Sequence, residues 1–326
     1  MKGGATSRLE DCDKGARVVI SSVLCALYLR GAPRSGGPPR RRWPLVLGAL
    51  ARSGCCSEDV AAVLRDAGLW DEAAAAEEAS LMEWGVGVVT AGRALTAAMQ
   101  DYPRGWLEAL GSSAPPCVWA EGAVPGAKAV SVTGSRGPRA NAKSVCVTVG
   151  REAMRLGCTL VSGGAVGIDS LAVQSALECG GAGRCIEILP YGLRHPEHSA
   201  RRREGVCYLS ACEPWVGFTT GQAMERNALI YSYGRRAVAV SPRLMQGGTW
   251  HGCADALRRR LCSLWVYGAG TAVEALVALG ARRLDSGQNL CAVLESTVPD
   301  PQPDLFGANA VRERAQGSPS TRAARA

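Results

Sequence analysis

The sequence predicts an α/β fold: a parallel sheet covered by helices, with a small helical domain ahead of it. Three observations carry that prediction. From residue 129 onward, apolar β-rich runs of four to six residues alternate with amphipathic stretches of ten or more, the pattern of consecutive βαβ units. Two of the runs end in small-residue turns that open helices, Ser131-Val-Thr-Gly134-Ser135-Arg136 and Leu160-Val-Ser162-Gly163-Gly164-Ala-Val-Gly167-Ile168-Asp169. Of the 326 residues, 47% are apolar and 20% charged, enough for a large core and, by length, about two domains.

The elements follow in order. Gly31–Arg42 reads GAPRSGGPPRRR; Gly and Pro break any helix, so residues 1–42 are expected to be a flexible extension. Val18–Leu29 is apolar, but its 12 residues cannot span roughly 30 Å of hydrocarbon. A core helix, or part of the extension, is expected there rather than a membrane span or export signal. Leu45, Leu47, Leu50, Val60, Val63, Leu64 and Leu69 mark short amphipathic helices, and Ser57 has the character of an N-cap before an acidic first turn. Residues 43–100 are therefore expected to form the helical domain. Asp101-Tyr102-Pro103 and Ala114-Pro115-Pro116 flank one more short helix. Strands are expected at Cys117–Ala120, Ala129–Thr133, Thr159–Ser162, Cys185–Leu189, Val206–Ser210, Ala237–Ser241 and Ser263–Tyr267. The helices between and after them are Asn141–Leu156, Gly167–Cys179, Gln222–Tyr231, Thr249–Arg260 and Thr271–Leu279. The α/β domain should cover 101–285, and a disordered tail 286–326, Pro-rich at Val298–Pro303 and then small, basic and polar.

The net charge of +8 is concentrated in one region. Between Lys128 and Gly268 there are 18 Lys and Arg against 9 Asp and Glu, a net of +9. A basic α/β domain points to a polyanionic partner. The 14 Cys show no C-x-x-C pair, and Cys146, Cys158, Cys185, Cys207 and Cys262 sit inside apolar runs. Reduced, mostly buried thiols in a cytoplasmic protein are expected, not a disulfide framework.

The two turns place backbone N–H groups at one sheet edge, where an anionic phosphate can sit. Gly134 allows a tight turn, Ser135 offers a hydroxyl, and Arg136 a planar fork for phosphate oxygens. Ser162, Gly163, Gly164 and Gly167 build the second turn. Asp169 follows in the helix's first turn; a carboxylate there repels an anion, so it is expected to tie down loop N–H groups as a cap. Arg226 and Asn227 are expected near the same edge, and Gly247-Gly248-Thr249 is a third small-residue turn before a helix.

These residues resemble the bacterial DNA-processing protein A family (DprA, also called Smf) over roughly Asp101–Tyr267. The resemblance rests on Gly134-Ser135-Arg136, on Ser162-Gly163-Gly164-Ala-Val-Gly167-Ile168-Asp169, and on Arg226-Asn227-Ala-Leu-Ile230. Lesser matches are Asp101-Tyr102-Pro103 and Gly247-Gly248-Thr249. Glu225 and Ala228 stand where the family usually carries further Arg. Gly247-Gly248-Thr249-Trp250-His251 replaces its common S-G-S-x-x-T-A segment, and no C-terminal winged helix is evident. The resemblance implies an extended Rossmann-like parallel-sheet domain that binds single-stranded DNA, protects incoming strands, loads RecA recombinase in natural transformation and recombination, and often dimerises. No catalytic residue and no cofactor is expected.

Two other classes share part of this pattern. Lonely Guy-type nucleotide phosphoribohydrolases share the core and a Gly-Gly-Thr turn, but need P-G-G-x-G-T-x-x-E. Pro is absent before Gly247 and no Glu follows Thr249 through Arg260, so nothing there can stabilise a sugar cation or activate water. A nucleotide-sensing module is the other class. His195-x-x-His198 lacks the ligands to complete a metal site; with Arg194 and Arg201–Arg203 it reads as a basic, phosphate-facing patch. Trp215, Phe218, Tyr231, Tyr233 and Trp250 are aromatics in the basic domain, suited to stacking bases or to packing the core. Gln302-Pro303-Asp304-Leu305-Phe306 looks like the Q-x-x-L-F peptides that dock on the bacterial sliding clamp.

Overall fold

Strands from residue 129 onward carry apolar residues at both odd and even positions, so both faces of the sheet must be covered. The computed structural model describes residues 93–96, 101–115, 117–126, 128–212, 214–285 and 290–300 and shows this arrangement. The strands are β1 (Arg93–Thr96), β2 (Cys117–Glu121), β3 (Ala129–Gly134), β4 (Thr159–Ser162), β5 (Arg184–Leu189), β6 (Val206–Ser210), β7 (Arg236–Val240), β8 (Ser263–Tyr267) and β9 (Arg282–Arg283). The helices are α1 (Arg104–Leu110), α2 (Ala140–Arg155), α3 (Ile168–Cys179), α4 (Pro196–Arg201), α5 (Thr220–Tyr233), α6 (Gly247–Arg258), α7 (Thr271–Ala278) and α8 (Leu290–Glu295).

The strands form one sheet in the order β1-β2-β6-β5-β4-β3-β7-β8-β9. From β6 to β9 all neighbours are parallel; β2 pairs antiparallel with β6, and β1 with β2. This is the expected Rossmann-like arrangement with an antiparallel extension. All residues of β3, β4 and β6 are buried. Alternate side chains feed two cores. One holds Val161, Ile186, Ile188, Ala237 and Val266 under α1, α5, α6 and α7, with Trp106, Ile230 and Tyr231 at its centre. The other holds Val130, Val132, Leu160 and Val238 under α2, α3 and α8, with Cys146, Val149, Ala172 and Val173. Cys146, Cys158, Cys185, Cys207 and Cys262 are buried, as their apolar settings predict.

Three expectations need correction. Arg93–Thr96, placed in the helical domain, is strand β1: it reads no pattern of its own and is fixed by pairing with β2. Residues 290–300, placed in the tail, include α8, whose Leu290 and Val293 are buried against the second core. The strand before α6 ends at Val240, because Ser241 has left extended geometry at φ 52°. The rest of the extension at 1–42, of the helical domain and of the tail lies outside the described residues. No helix among the described residues is long and apolar enough to cross a membrane.

Candidate functional site

Strand order reverses at β3. β4 to β6 lie on one side of it and β7 to β9 on the other. β3 feeds α2 on one face, and β7 feeds α6 on the opposite face. A crevice therefore opens beyond their carboxyl ends, the place where open α/β sheets bind ligands. One wall is the turn Gly134-Ser135-Arg136. The other is Ser241–Thr249.

The turns are tied into one body. Ser135 N–H donates to Val240 O at 3.1 Å, and Ile168 N–H to Ser135 O at 3.1 Å. The Thr249 hydroxyl donates to Gly134 O at 2.8 Å, and the Asn227 amide to Gly248 O at 3.2 Å. Asp169 accepts from Gly134 N–H at 3.1 Å on one oxygen and from Gly163 N–H at 3.3 Å on the other. Gly167 adopts φ 101°, and a Cβ there would sit 2.4 Å from Ser135 O, so only glycine lets the second turn close on the first.

A charged cluster lies beneath the turns. The Arg226 guanidinium packs against Gly163, where a Cβ would come within 1.6 Å of Nη1. Its Nε is buried and has no hydrogen-bond partner. Burial pushes the Asp169 carboxyl up, opposed by the Arg226 charge and by the N–H groups of Gly134, Gly163 and Ala165. Burial also pushes Glu187 of β5 up, opposed by its ion pair with Arg203. The Glu187 carboxyl abuts Gly164, where a Cβ would lie 2.7 Å from Oε2. Burial lowers Arg226, while Asp169 and Glu187 oppose that shift.

The crevice itself is basic. Arg136 is exposed on one wall and Arg243 on the other, with the Arg243 Nη2 3.7 Å from where a Gly137 Cβ would stand. The loop that carries Arg243 leads into helix α6, whose N-cap Gln246 makes no side-chain capping bond. Its first-turn N–H groups and positive dipole end suit an anion. Residues 122–151 and 226–254, which carry both walls, contain five and four Lys or Arg and no Asp or Glu. Ser241 and Met245 hold φ 52° and 51°, unusual for residues with side chains, in the loop that presents Arg243.

A family model described as DNA recombination-mediator protein A matches residues 93–292. The chain belongs to that family. No curated protein matches the chain. Among solved structures, DNA processing protein A (DprA) from Streptococcus pneumoniae has 21% identity and a TM-score of 0.58, over 87% of this chain and 96% of that one. DNA processing protein A from Helicobacter pylori, described for its single-stranded DNA binding mode, has 19% identity and a TM-score of 0.49, over 59% and 91%. The molybdenum cofactor carrier protein MCP from Chlamydomonas reinhardtii has 19% identity and a TM-score of 0.38, over 52% and 94%. The Streptococcus pneumoniae structure shares this chain's fold.

In this recombination-mediator chain the predicted residues gather at one edge, but not all face outward. Ser135, Arg136, Gly247, Gly248 and Thr249 are exposed or half-buried on the two turns, whereas Gly134 is buried between them. Ser162 turns inward and donates to Val132 O at 2.8 Å, being fully buried. The N–H groups of Gly134 and Gly163 are taken by Asp169, so they bind the loops and not a phosphate. Arg226 and Asn227 are half-buried, the first turned onto Gly163 and the second donating to Gly248 O. The expected basic patch is largely paired: Arg201 with Glu197, Arg202 with Glu121, Arg203 with Glu187. His198 is buried and contacts Glu121 at 3.0 Å. No cluster of metal-binding residues occurs among the described residues. Arg243 and Glu187 went unread in the sequence. Arg243 lies in no motif, and a carboxylate inside RCIEIL shows its role only when Arg203, 16 residues on, is brought to it.

Proposed function

We propose that this chain binds single-stranded DNA along the carboxyl edge of its sheet, with backbone phosphates held in the β3/β7 crevice. The observation that carries this is the crevice's one-signed charge: Arg136 and Arg243 are exposed on the loops after β3 and β7, the second of which opens α6 without a side-chain cap, in segments without a single carboxylate. Lys and Arg contacts to phosphates release counterions, so binding should weaken steeply with salt and depend little on sequence. Family membership supports a DNA-processing role. Protection of single strands, loading of a RecA-type recombinase and action as a homodimer are part of the same proposal. So is docking of Gln302, Leu305 and Phe306 on a sliding clamp, although those residues lie outside the described ones. The phosphoribohydrolase reading needs a carboxylate beside Gly247-Gly248-Thr249, and Asp169 and Glu187 are both held by other groups.

Fluorescence anisotropy with a labelled single strand, competed by duplex DNA and by AMP, tests the proposal. Competition by an unlabelled single strand far better than by duplex or AMP is expected. Equal competition by AMP would move the reading to a nucleotide site.

A further inference from the structure

Among the described residues, aromatic side chains are buried or half-buried, with two exceptions on one loop. Trp106, Trp119, Trp250 and Trp265 are at most 8% exposed, whereas Trp215 is 55% exposed. Phe218, one of two Phe in the chain, is 49% exposed. Exposed apolar residues gathered in one patch mark an interaction site. Both lie between β6 and α5, at the same carboxyl edge as the crevice.

The loop is held in place, not merely extruded. Gly192 N–H donates to Val216 O at 2.8 Å, and Arg194 N–H to Pro214 O at 2.6 Å, so residues 214–216 lie along the β5–α4 loop. Ser210 Oγ donates to Tyr191 O at 2.7 Å and accepts from Cys212 N–H at 3.1 Å, fixing the loop's root. The His195 ring lies beside Gly217, with Nε2 3.2 Å from where a Cβ would stand. Other exposed apolar residues rim the same edge: Val166 after β4, and Leu244 and Met245 after β7. The nearby polar groups are the Arg194 guanidinium and the His195 ring on one side and exposed Glu225 on α5 on the other. With Arg136 and Arg243 farther along, the edge offers cations to a chain of phosphates and flat apolar surfaces to what lies between them. A single strand has both.

We propose that Trp215 and Phe218 form a base-stacking step for single-stranded DNA, separate from the phosphate crevice. This rests on the DNA-binding reading above. β3 and β6 are three strand spacings apart, about 14 Å at ~4.8 Å each. At the ~3.4 Å per nucleotide of a stacked strand, this is about four nucleotides. The strand therefore crosses the sheet edge, phosphates anchored at β3/β7 and bases resting on the β6–α5 loop.

The test uses the full chain and oligodeoxythymidylates shorter and longer than that span, each beside an abasic strand of equal length. Trp215→Ala with Phe218→Ala should weaken the longer thymidylate about tenfold or more. Its salt slope, and binding of the abasic and short strands, should not change. Equal loss on the abasic strand, or no loss on the thymidylate, would overturn the stacking step. A wild-type chain that binds neither strand defeats the DNA-binding reading itself. Wild-type binding with an unaffected double variant defeats only the stacking step. A double variant that changes sedimentation while keeping thymidylate affinity would make this surface a contact between copies, and the stacking step would be wrong.

Discussion

Asp169 commits one carboxylate oxygen to Gly134 and the other to Gly163, with the Arg226 charge beside it. Removing it leaves two N–H groups without their acceptor and a sunken guanidinium without its nearest opposite charge. Asp169→Ala should therefore cost about 3 kcal/mol, which urea denaturation would measure. Glu187 gives a pH dependence of unusual sign. Its folded-state value lies above its ordinary 4.5, so just above 4.5 the folded chain keeps a proton that the unfolded chain has lost. Stability from this group falls as pH rises through that window. Glu187→Gln should flatten the fall in urea midpoints on the neutral side, since the Arg203 side chain, 30% exposed, can turn to water. The cap role of Asp169 was legible, because an acid in a helix's first turn is a local signal. The inward turn of Arg226 was not, because Gly163 and Asp169 reach it only through the tertiary fold.

Short βα turns are where this fold sets its tolerances. Gly163 is occupied from behind by Arg226, so even a methyl forces the guanidinium out or the turn open. Gly163→Ala should destabilise the chain by about 1–3 kcal/mol, seen as a lower urea midpoint, and should loosen the turns near the crevice. Between 129 and 279 the strands, and every helix except the six-residue α4, were legible because both sheet faces are covered and the strands read as short runs rich in apolar residues. Their ends were less so: α5 starts at Thr220 and not Gln222 because Thr219 accepts from Gln222 N–H and sets the cap. β1 and α8 are four and six residues long, too short for periodicity, and exist through pairing and packing.

At the scale of the whole molecule, charge and topology converge. The reversal of strand order opens the crevice, and the segments forming it are the ones without carboxylates. The +9 between Lys128 and Gly268 located the positive field, but several of those cations are internal or paired, as Arg226 and Arg201–Arg203 show. What remains for a polyanion is a smaller set centred on Arg136 and Arg243. The most direct measurement is the affinity for a labelled single strand across a salt series, for wild type, Arg136→Ala and Arg243→Ala. Each substitution should weaken binding and reduce the slope of log affinity against log salt by about 0.7, the value for one phosphate contact on a single strand. Affinities and slopes identical to wild type in both variants would contradict the account.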